Sequence, residues 1–500
     1  MLRHGLKKAS TRWKHSLQHL TPRALSQNAE PQPNYPSIAP RPSIDIKSIR
    51  SNPAYYVENC IARNCKEQLS NPYRINELSS KRYDVHRTAD EWRKRNNAIE
   101  AQLAAPQRVK DTGGVDNEDG KEGTEKLLIE ARQLKERLRE SEEQEQELGE
   151  EIESLAMELP NLTSNYAPRG NEPKVVSYIN ERPAYLEGSQ LEDRDHVKIG
   201  AKFDLLDFAG AANVSGWGWY FLKNEAALLE QALVQYALSV AMNHGFSVST
   251  PPSMVYSHIG AACGFRPRDQ SGEQQVYMVE QTKRDREKDK PNHSLTGTAE
   301  IPFAGIKANE TFDYGNLPLH IVGPSRCYRA EAGARGRGTR GLYRVHEFTK
   351  VEMFAWTLPH QEELAFNAML KIQKEILTGL GLYCRILEMP TTDLGASAYR
   401  KQDIEALFPS RIDLDEGWGE VTSTSICKDY QSRRLNTRVK MPKKSKEKIS
   451  FPGTVNGTAI AIPRVLAALL ENGYEADEQP CIRIPEVLWP WMHGIQAIKL

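Results

Sequence analysis

Residues 326–353 read RCYRAEAGARGRGTRGLYRVHEFTKVEM, and the fold turns on how this run is read. Arg329-x-Glu331 stands near its start, glycines and arginines fill its middle, and Arg344, Phe348 and Glu352 close it at intervals of four. Arginine forks pair bidentately with phosphate oxygens. A carboxylate can accept an amino group, and an aromatic ring offers a face to a planar base. Glycine permits a tight reversal with backbone close to a ligand. Read as two strands and a loop, the segment is a hairpin for ATP. Taken alone it also fits a flexible, arginine- and glycine-rich RNA-binding loop. Its one GxGxxG match, Gly336-x-Gly338-x-x-Gly341, does not lie between the strand and helix of a βαβ unit, so it does not indicate a Rossmann site. No GxxxxGK[ST] loop occurs.

Outward from this run, composition narrows the classes. The 500 residues have room for two to four domains. The 66 basic and 66 acidic side chains cancel, so contact with nucleic acid must rest on local patches. No run approaches the roughly 18 apolar residues of a membrane span. Seven cysteines, widely spaced and without a CxxC, argue against a disulfide framework or a cysteine-rich zinc site. The pair His15 and His19 has no thiolate or carboxylate nearby and reads as incidental. The first acidic residue is Glu30; before it come Arg3, Lys7, Lys8, Arg12, Lys14 and Arg23. Leu2, Leu6, Trp13, Leu17 and Leu20 can share a helical face, the pattern of a mitochondrial transit peptide.

A proline-rich linker, residues 30–43, leads to Ser43-Ile44-Asp45, which opens a short helical segment. Two heptad tracts follow. Leu78, Val85, Trp92 and Ile99 mark the first, flanked by Ile75, Ala89 and Leu103; Leu127, Leu134, Leu148 and Leu155 mark the second, interrupted at Ser141 and Glu145. An antiparallel coiled coil is expected, its turn within 104–123 where Pro106, Gly113, Gly114, Gly120 and Gly123 break helix. Four heptads project on the order of 40 Å. From periodicity alone, a working arm and a spacer are equally good readings. Residues 160–187 read as a linker, 220–245 as an amphipathic helix, and 360–379 as another. Strand-like pieces recur at 319–323, 350–356, 382–388 and 458–462, giving an α+β domain with an antiparallel sheet. The charge run 282–290 reads as a solvated insertion.

Five clusters in order then carry a family resemblance. Gly245–Pro252 resembles motif 1 of class II aminoacyl-tRNA synthetases, Arg329–Glu352 motif 2, and Thr454–Arg464 motif 3. Thr298-Ala299-Glu300 resembles the TAE element of seryl-tRNA synthetases. Glu420-Val421-Thr422-Ser423 followed by Asp429-Tyr430-Gln431-Ser432-Arg433-Arg434 is similar to that family's EISS…DFQARR. The family also places a coiled-coil arm in front, and its bacterial and organellar type is the nearer likeness. The chain thereby divides into a targeting peptide and linker (1–43), a tRNA-binding arm (44–165) and a class II catalytic domain (166–500). Three positions depart from the pattern: Thr424, Ile426, where the family usually has Asn, and Gly338, where Asp is common.

The resemblance implies a serine–tRNA ligase of the mitochondrial matrix that uses ATP and Mg²⁺, works as a homodimer and grips tRNA(Ser) with its arm. Arg329 and Arg464 would be catalytic. Arg329 would hold the α-phosphate and stabilise transition-state charge, and Arg344 and Arg464 would grip the terminal phosphates. Glu331 would meet the adenine amino group and Phe348 stack on the ring, with Ala330, Val421 and Thr422 completing the ATP site. Glu420 and Ser423 would face Mg²⁺. Thr298, Ala299 and Glu300 would bind the serine ammonium; Glu352 and Thr458 would surround its side chain and hydroxyl. The serine carboxylate then attacks the α-phosphate in line, and no side chain acts as nucleophile. A synthetase-like RNA- or partner-binding protein without catalysis is the alternative. It predicts loss of some of Arg329, Glu331, Glu352, Glu420 and Arg464, and all are present.

Overall fold

A computed structural model of the chain describes residues 39–110, 118–187, 191–266, 274–331 and 340–500. The leader up to residue 38 and the turn glycines Gly113 and Gly114 lie outside them, as do Gly336 and Gly338.

Two short helices, α1 (Ile46–Ser51) and α2 (Pro53–Ala62), open the fold. The Asp45 side chain caps α1 by accepting from the Ser48 N–H, and Asn52 caps α2 with Pro53 in its first turn. The arm follows as α3 (Asn71–Lys110) and α4 (Glu118–Met157), 40 residues each and therefore about 60 Å long. It is longer than the heptads alone suggest, because the backbone stays helical through Pro106, Gly120 and Gly123. A glycine costs a helix only about 1 kcal/mol, too little to end one this long. Proline removes a donor and clashes with the preceding turn, yet Pro106 does not end α3 either.

The seam is the expected one: Leu78, Ala89, Ile99 and Leu134 are buried. The interruptions also have partners. Ser141 is buried, and Glu145 reaches across to Arg82 (3.6 Å) and His86 (3.3 Å). Arg95–Glu130 and Arg74–Glu151 pairs span the two helices in the antiparallel register. At the root, Ile49, Cys60, Ile75, Leu78, Ile152, Ala156 and Leu159 form a separate small core. The root is tied to the rest by Arg63, whose buried guanidinium donates to the carbonyls of Asn161 (2.8 Å), Ala398 (2.9 Å), Leu394 (3.2 Å) and Gly395.

The chain beyond the arm is built on an eight-stranded sheet. Its strands are β1 (Lys174–Ile179), β2 (Ser247–Val248), β3 (Leu319–Tyr328), β4 (Glu347–Thr357), β5 (Cys384–Glu388), β6 (Arg400–Leu407), β7 (Trp418–Lys428) and β8 (Gly453–Ala461). They lie in the order β1-β5-β6-β7-β8-β4-β3-β2, antiparallel except that β2 runs parallel to β3 at the edge. β1 falls inside the stretch expected to be a linker. Its KVVSYI is a β-branched and aromatic run that pairs with β5, a signal masked by the Asn, Pro and Gly around it.

Helices α5 (Asn224–Asn243), α6 (Glu362–Gly379) and α7 (Ile462–Gly473) share the main core with the sheet. Strand alternation sorts β4 between the two faces. Val351, Met353 and Ala355 enter the main core, whereas Phe354 and Trp356 join a second apolar cluster with Ala299, Ile301 and Phe303. Lys350 and Glu352 therefore lie on the Phe354 face, opposite the helices. The charge run 282–290 contains a short helix, Lys283–Glu287, with no buried residue. Among the described residues no helix is long and apolar enough to cross a membrane.

Candidate active site

The run 326–353 is the hairpin expected: β3 and β4 pair antiparallel from Tyr328↔Glu347 to Leu319↔Trp356. Arg329 follows β3, its N–H bonded to the His346 carbonyl at 2.9 Å, and its guanidinium lies 5.2 Å from the centre of the Phe348 ring. Glu331 takes a positive φ of 46° and accepts from Arg344 Nε. The two residues expected at opposite ends of ATP are thus an ion pair here. Arg344 is 47 % exposed, so that pair can open.

Motif 3 completes the cleft. β8 turns into α7 at Pro463, and Arg464 donates to the Tyr343 carbonyl (3.0 Å), the Glu420 carbonyl (2.9 Å) and Glu420 Oε2 (3.2 Å). Arg329, Glu331, Arg344, Phe348, Glu420, Ser423, Thr458 and Arg464 line one cleft. Val421 and Thr422 border it, but their side chains are engaged elsewhere. Val421 is packed in the main core, and Thr422 Oγ1 meets Gln373 Nε2 (2.8 Å) and the Thr458 carbonyl. Ala330 is half-buried, with its N–H on the Gln275 carbonyl at 3.3 Å.

Deeper, Glu352 and Thr458 come together at 3.1 Å. Sequence reasoning missed the third member, Lys350, which is buried and places Nζ 2.6 Å from Glu352 and 2.7 Å from Thr298 Oγ1. Its signal was available, since Lys350 and Glu352 are two apart on one strand and so share a face. Glu300 is buried between Gln431 (2.7 Å) and Asn456 (3.2 Å). Burial and the neighbouring Glu352 carboxylate push Glu300 up to about 7, against the opposing pull of Lys350 and Gln431. Ala299 packs in the second apolar cluster, so only its backbone is available to a ligand.

Beside Glu420 lie two more residues not foreseen, Lys401 and Asp403, 2.7 Å apart on β6. Asp403 faces Ser423 across the ladder. Burial opposes ionisation of Glu420, but Lys401, Arg464 and Arg329 outweigh it and hold the carboxyl low. Burial and Glu420 push Asp403 up. One oxygen of Asp403, Oδ1, is buried without a partner. Ionised Glu420 and the Ser423 hydroxyl both line the cleft, and oxygen donors of this kind fit a hard cation such as Mg²⁺. Gln373 on α6 was also missed. Its amide ties Thr422, Thr424 and the Ser423 and Thr458 carbonyls together at 2.7–2.9 Å, holding β7 against β8. Ile426 is fully buried in the main core, so the departure there replaces a polar contact by packing.

An antiparallel sheet whose hairpin and strand-to-helix turn each supply an arginine to one cleft defines a class II aminoacyl-tRNA synthetase. The matching family models agree: residues 277–473 fit the tRNA synthetase class II core domain (G, H, P, S and T), and residues 44–163 the seryl-tRNA synthetase N-terminal domain. The mitochondrial serine–tRNA ligase of Saccharomyces cerevisiae is 41% identical over 367 residues, 73% of this chain and 78% of that protein. The serine–tRNA ligase of Rhodopirellula baltica is 37% identical over 456 residues, 91% of this chain and 99% of that protein. The crystal structure of seryl-tRNA synthetase from Pyrococcus horikoshii complexed with ATP superposes with a TM-score of 0.78 at 31% identity, covering 91% of this chain and 99% of that one. The chain belongs to the seryl-tRNA synthetase family, enzymes that are serine–tRNA ligases of class II.

Proposed function

We propose that the enzyme activates serine with ATP to seryl-adenylate and transfers it to tRNA(Ser) in the mitochondrial matrix. The observation that carries this is the Lys350–Glu352–Thr458 cluster at the floor of an arginine-lined cleft. Glu352 and the Thr458 hydroxyl offer hydrogen bonds to a small hydroxylated side chain. A substrate without the hydroxyl leaves them unpaired, which a site can reject by about 10⁴-fold. Thr298 and Glu300 hold the ammonium, Ala299 contributing backbone. Phe348 stacks on adenine and Glu331 receives its amino group, beside the backbone of Ala330, Val421 and Thr422. Arg329 stabilises the α-phosphate, and Arg344 and Arg464 the outer phosphates. Mg²⁺, held by Glu420 and Ser423, supplies charge neutralisation between the phosphates.

The arm, within 44–165, grips tRNA(Ser), and residues 166–500 form the catalytic domain. Residues 1–43, basic and acid-free up to Glu30, direct import and then link to the arm. Support for the location comes from that composition and from the mitochondrial relatives of Saccharomyces cerevisiae and Schizosaccharomyces pombe. Exposed apolar side chains after motif 1, Met254, Tyr256, Met278 and Val279, support a homodimer.

Serine-dependent ATP–pyrophosphate exchange by residues 39–500 with Mg²⁺ tests the activation step. Folded enzyme that exchanges with threonine, alanine or glycine but not with serine would refute it. Replacing residues 83–144 by a short glycine linker keeps the root cluster and tests the arm. Exchange is expected to persist while charging falls by about 10³-fold, roughly the 4 kcal/mol of a lost docking surface. Unchanged charging would reduce the arm to a spacer.

A further inference from the structure

The buried pair His196 and Glu471 lies outside the cleft yet ends on it. His196 opens the short helix His196–Lys202, and Glu471 is near the end of α7. Their side chains are 5% and 0% exposed, with His196 Nδ1 2.7 Å from Glu471 Oε1. The Leu342 N–H donates to His196 Nε2 at 3.0 Å. That bond makes Nε2 the acceptor and places the ring proton on Nδ1, where it is donated to Glu471. Glu471 also accepts from the Ser410 N–H (3.1 Å), the Ser410 hydroxyl (2.7 Å) and the His196 N–H (3.3 Å). Ligand atoms of Asp195, His196 and Glu471 lie within 4.8 Å of one another, a spacing that suits a metal. Both ring nitrogens are already engaged, and Asp195 accepts from the Val197 N–H at 2.8 Å, so the cluster is a hydrogen-bond hub.

What the hub holds is the returning limb of the ATP hairpin. Gly341 has φ 72°, and a Cβ there would lie 2.2 Å from His196 Nε2, so glycine lets the chain reach the imidazole. Leu342 is fully buried next to it. Tyr343 follows, its carbonyl on Arg464 Nε and its ring 4.8 Å from the Arg464 guanidinium. The other face of the hub acts on the same tyrosine: Glu471 fixes Ser410, and the neighbouring Arg411 guanidinium sits 3.9 Å from the Tyr343 ring centre. Arg344 is the next residue in the chain.

We propose that His196 and Glu471 are positioning residues for ATP: they anchor Leu342 and, through it, set Tyr343, Arg344 and Arg464 at the phosphate end of the cleft. This rests on the reading of that cleft as an ATP site. Among the described residues no hydrogen bond links Lys350 or Glu352, at the serine end, to the hub, so the effect is confined to the nucleotide.

Two variants separate positioning from simple structural support. In His196→Gln the amide oxygen takes the place of Nε2 and still accepts from Leu342, but the contact at Nδ1 is lost. In His196→Asn the amide keeps a donor for Glu471 and leaves the Leu342 N–H without an acceptor. Pyrophosphate exchange is measured with ATP and serine varied in turn, alongside the thermal midpoint. His196→Asn is expected to raise KM for ATP about tenfold, the effect of one orphaned buried amide, with KM for serine within about twofold of wild type. His196→Gln, which keeps the acceptor for Leu342 and loses the hold of Glu471, is expected to raise KM for ATP by less than His196→Asn does and to leave KM for serine near wild type. Gly341→Ala puts a methyl group where the Leu342 amide meets the imidazole and is expected to reproduce the Asn phenotype. Equal KM shifts for ATP in Asn and Gln, or KM for serine rising in parallel, would overturn the proposal. Wild-type enzyme without ATP-dependent exchange would instead overturn the ATP reading and the proposal with it.

Discussion

Arg95–Glu130 in the arm and Lys350–Glu352 in the cleft are ion pairs of nearly equal length, 2.7 and 2.6 Å, in opposite surroundings. The first pair is 50% and 38% exposed, the second 8% and 1%. In the arm, water screens charge and solvates either partner when the other leaves. The arm's stability and register therefore rest on its apolar seam, with the charges along its flanks. In the cleft, burial keeps both partners from turning to water, so each is left without a counterpart if the other is removed. Lys350 pairs with Glu352 and opposes the rise of the Glu300 carboxyl, and so offsets part of the cost of placing two carboxylates in one buried pocket. The arm presents its charges to water; the cleft holds a fixed, buried charge pattern.

The largest expected effect tests that contrast directly. Glu352→Gln keeps the shape and removes the charge opposite Lys350. An unpaired buried lysine costs about 3–5 kcal/mol. Serine-dependent exchange is expected to fall by about 10² or more in kcat/KM, with a lowered thermal midpoint. A variant that keeps near-normal serine kcat/KM would show that Lys350 needs no buried counter-charge.

The same contrast explains what could be read in advance. The arm was legible because a heptad is a local pattern: Leu78, Ala89 and Ile99 announce their own burial. The helices run further into the expected turn region than read, because Pro106, Gly120 and Gly123 are strong signals in short helices and weak ones within 40-residue helices. The cleft's outline was legible because Arg329, Glu352, Glu420 and Arg464 sit in clusters whose order is distinctive. Its supports were not. Gln373 acts on Thr422 and Thr458, 49 and 85 residues away, and His196 on Leu342 and Glu471, 146 and 275 away. Nothing local marks such residues; only the packing of α6 and α7 on the sheet brings their partners within reach. Thr422 was assigned to the nucleotide because its neighbours Glu420 and Ser423 are, whereas its hydroxyl is taken by Gln373.

A second, smaller effect comes from Glu300. Its carboxyl is raised from 4.5 to about 7, so between those values the folded state binds a proton that the unfolded state has lost. Folding is therefore favoured at the lower end of the window, and stability declines as pH rises from about 4.5 to about 7. Glu300→Gln mimics the protonated form and is expected to flatten that decline by up to about 3 kcal/mol across the window. Denaturant unfolding at several pH values, wild type against variant, reads the slope. Parallel curves would mean that Glu300 stays ionised in the pocket, with Gln431 and Asn456 sufficient to hold its charge.

The smallest effect lies back on the arm. Arg95→Ala, Glu130→Ala and the double variant form a cycle around a pair with ideal bidentate geometry, 2.7 and 2.9 Å. Good geometry would suggest a strong interaction, but both side chains are in water, and ordering two long chains offsets most of what the contact contributes. The coupling is expected to be near the limit of measurement in 0.15 M salt and to shrink further in 1 M salt, where the screening length falls to about 3 Å. A coupling that survives high salt would mean the arm's register depends on its charges as the cleft depends on Lys350. The apolar seam at Leu78, Ile99 and Leu134 argues against that, since those buried contacts already fix which residues face one another.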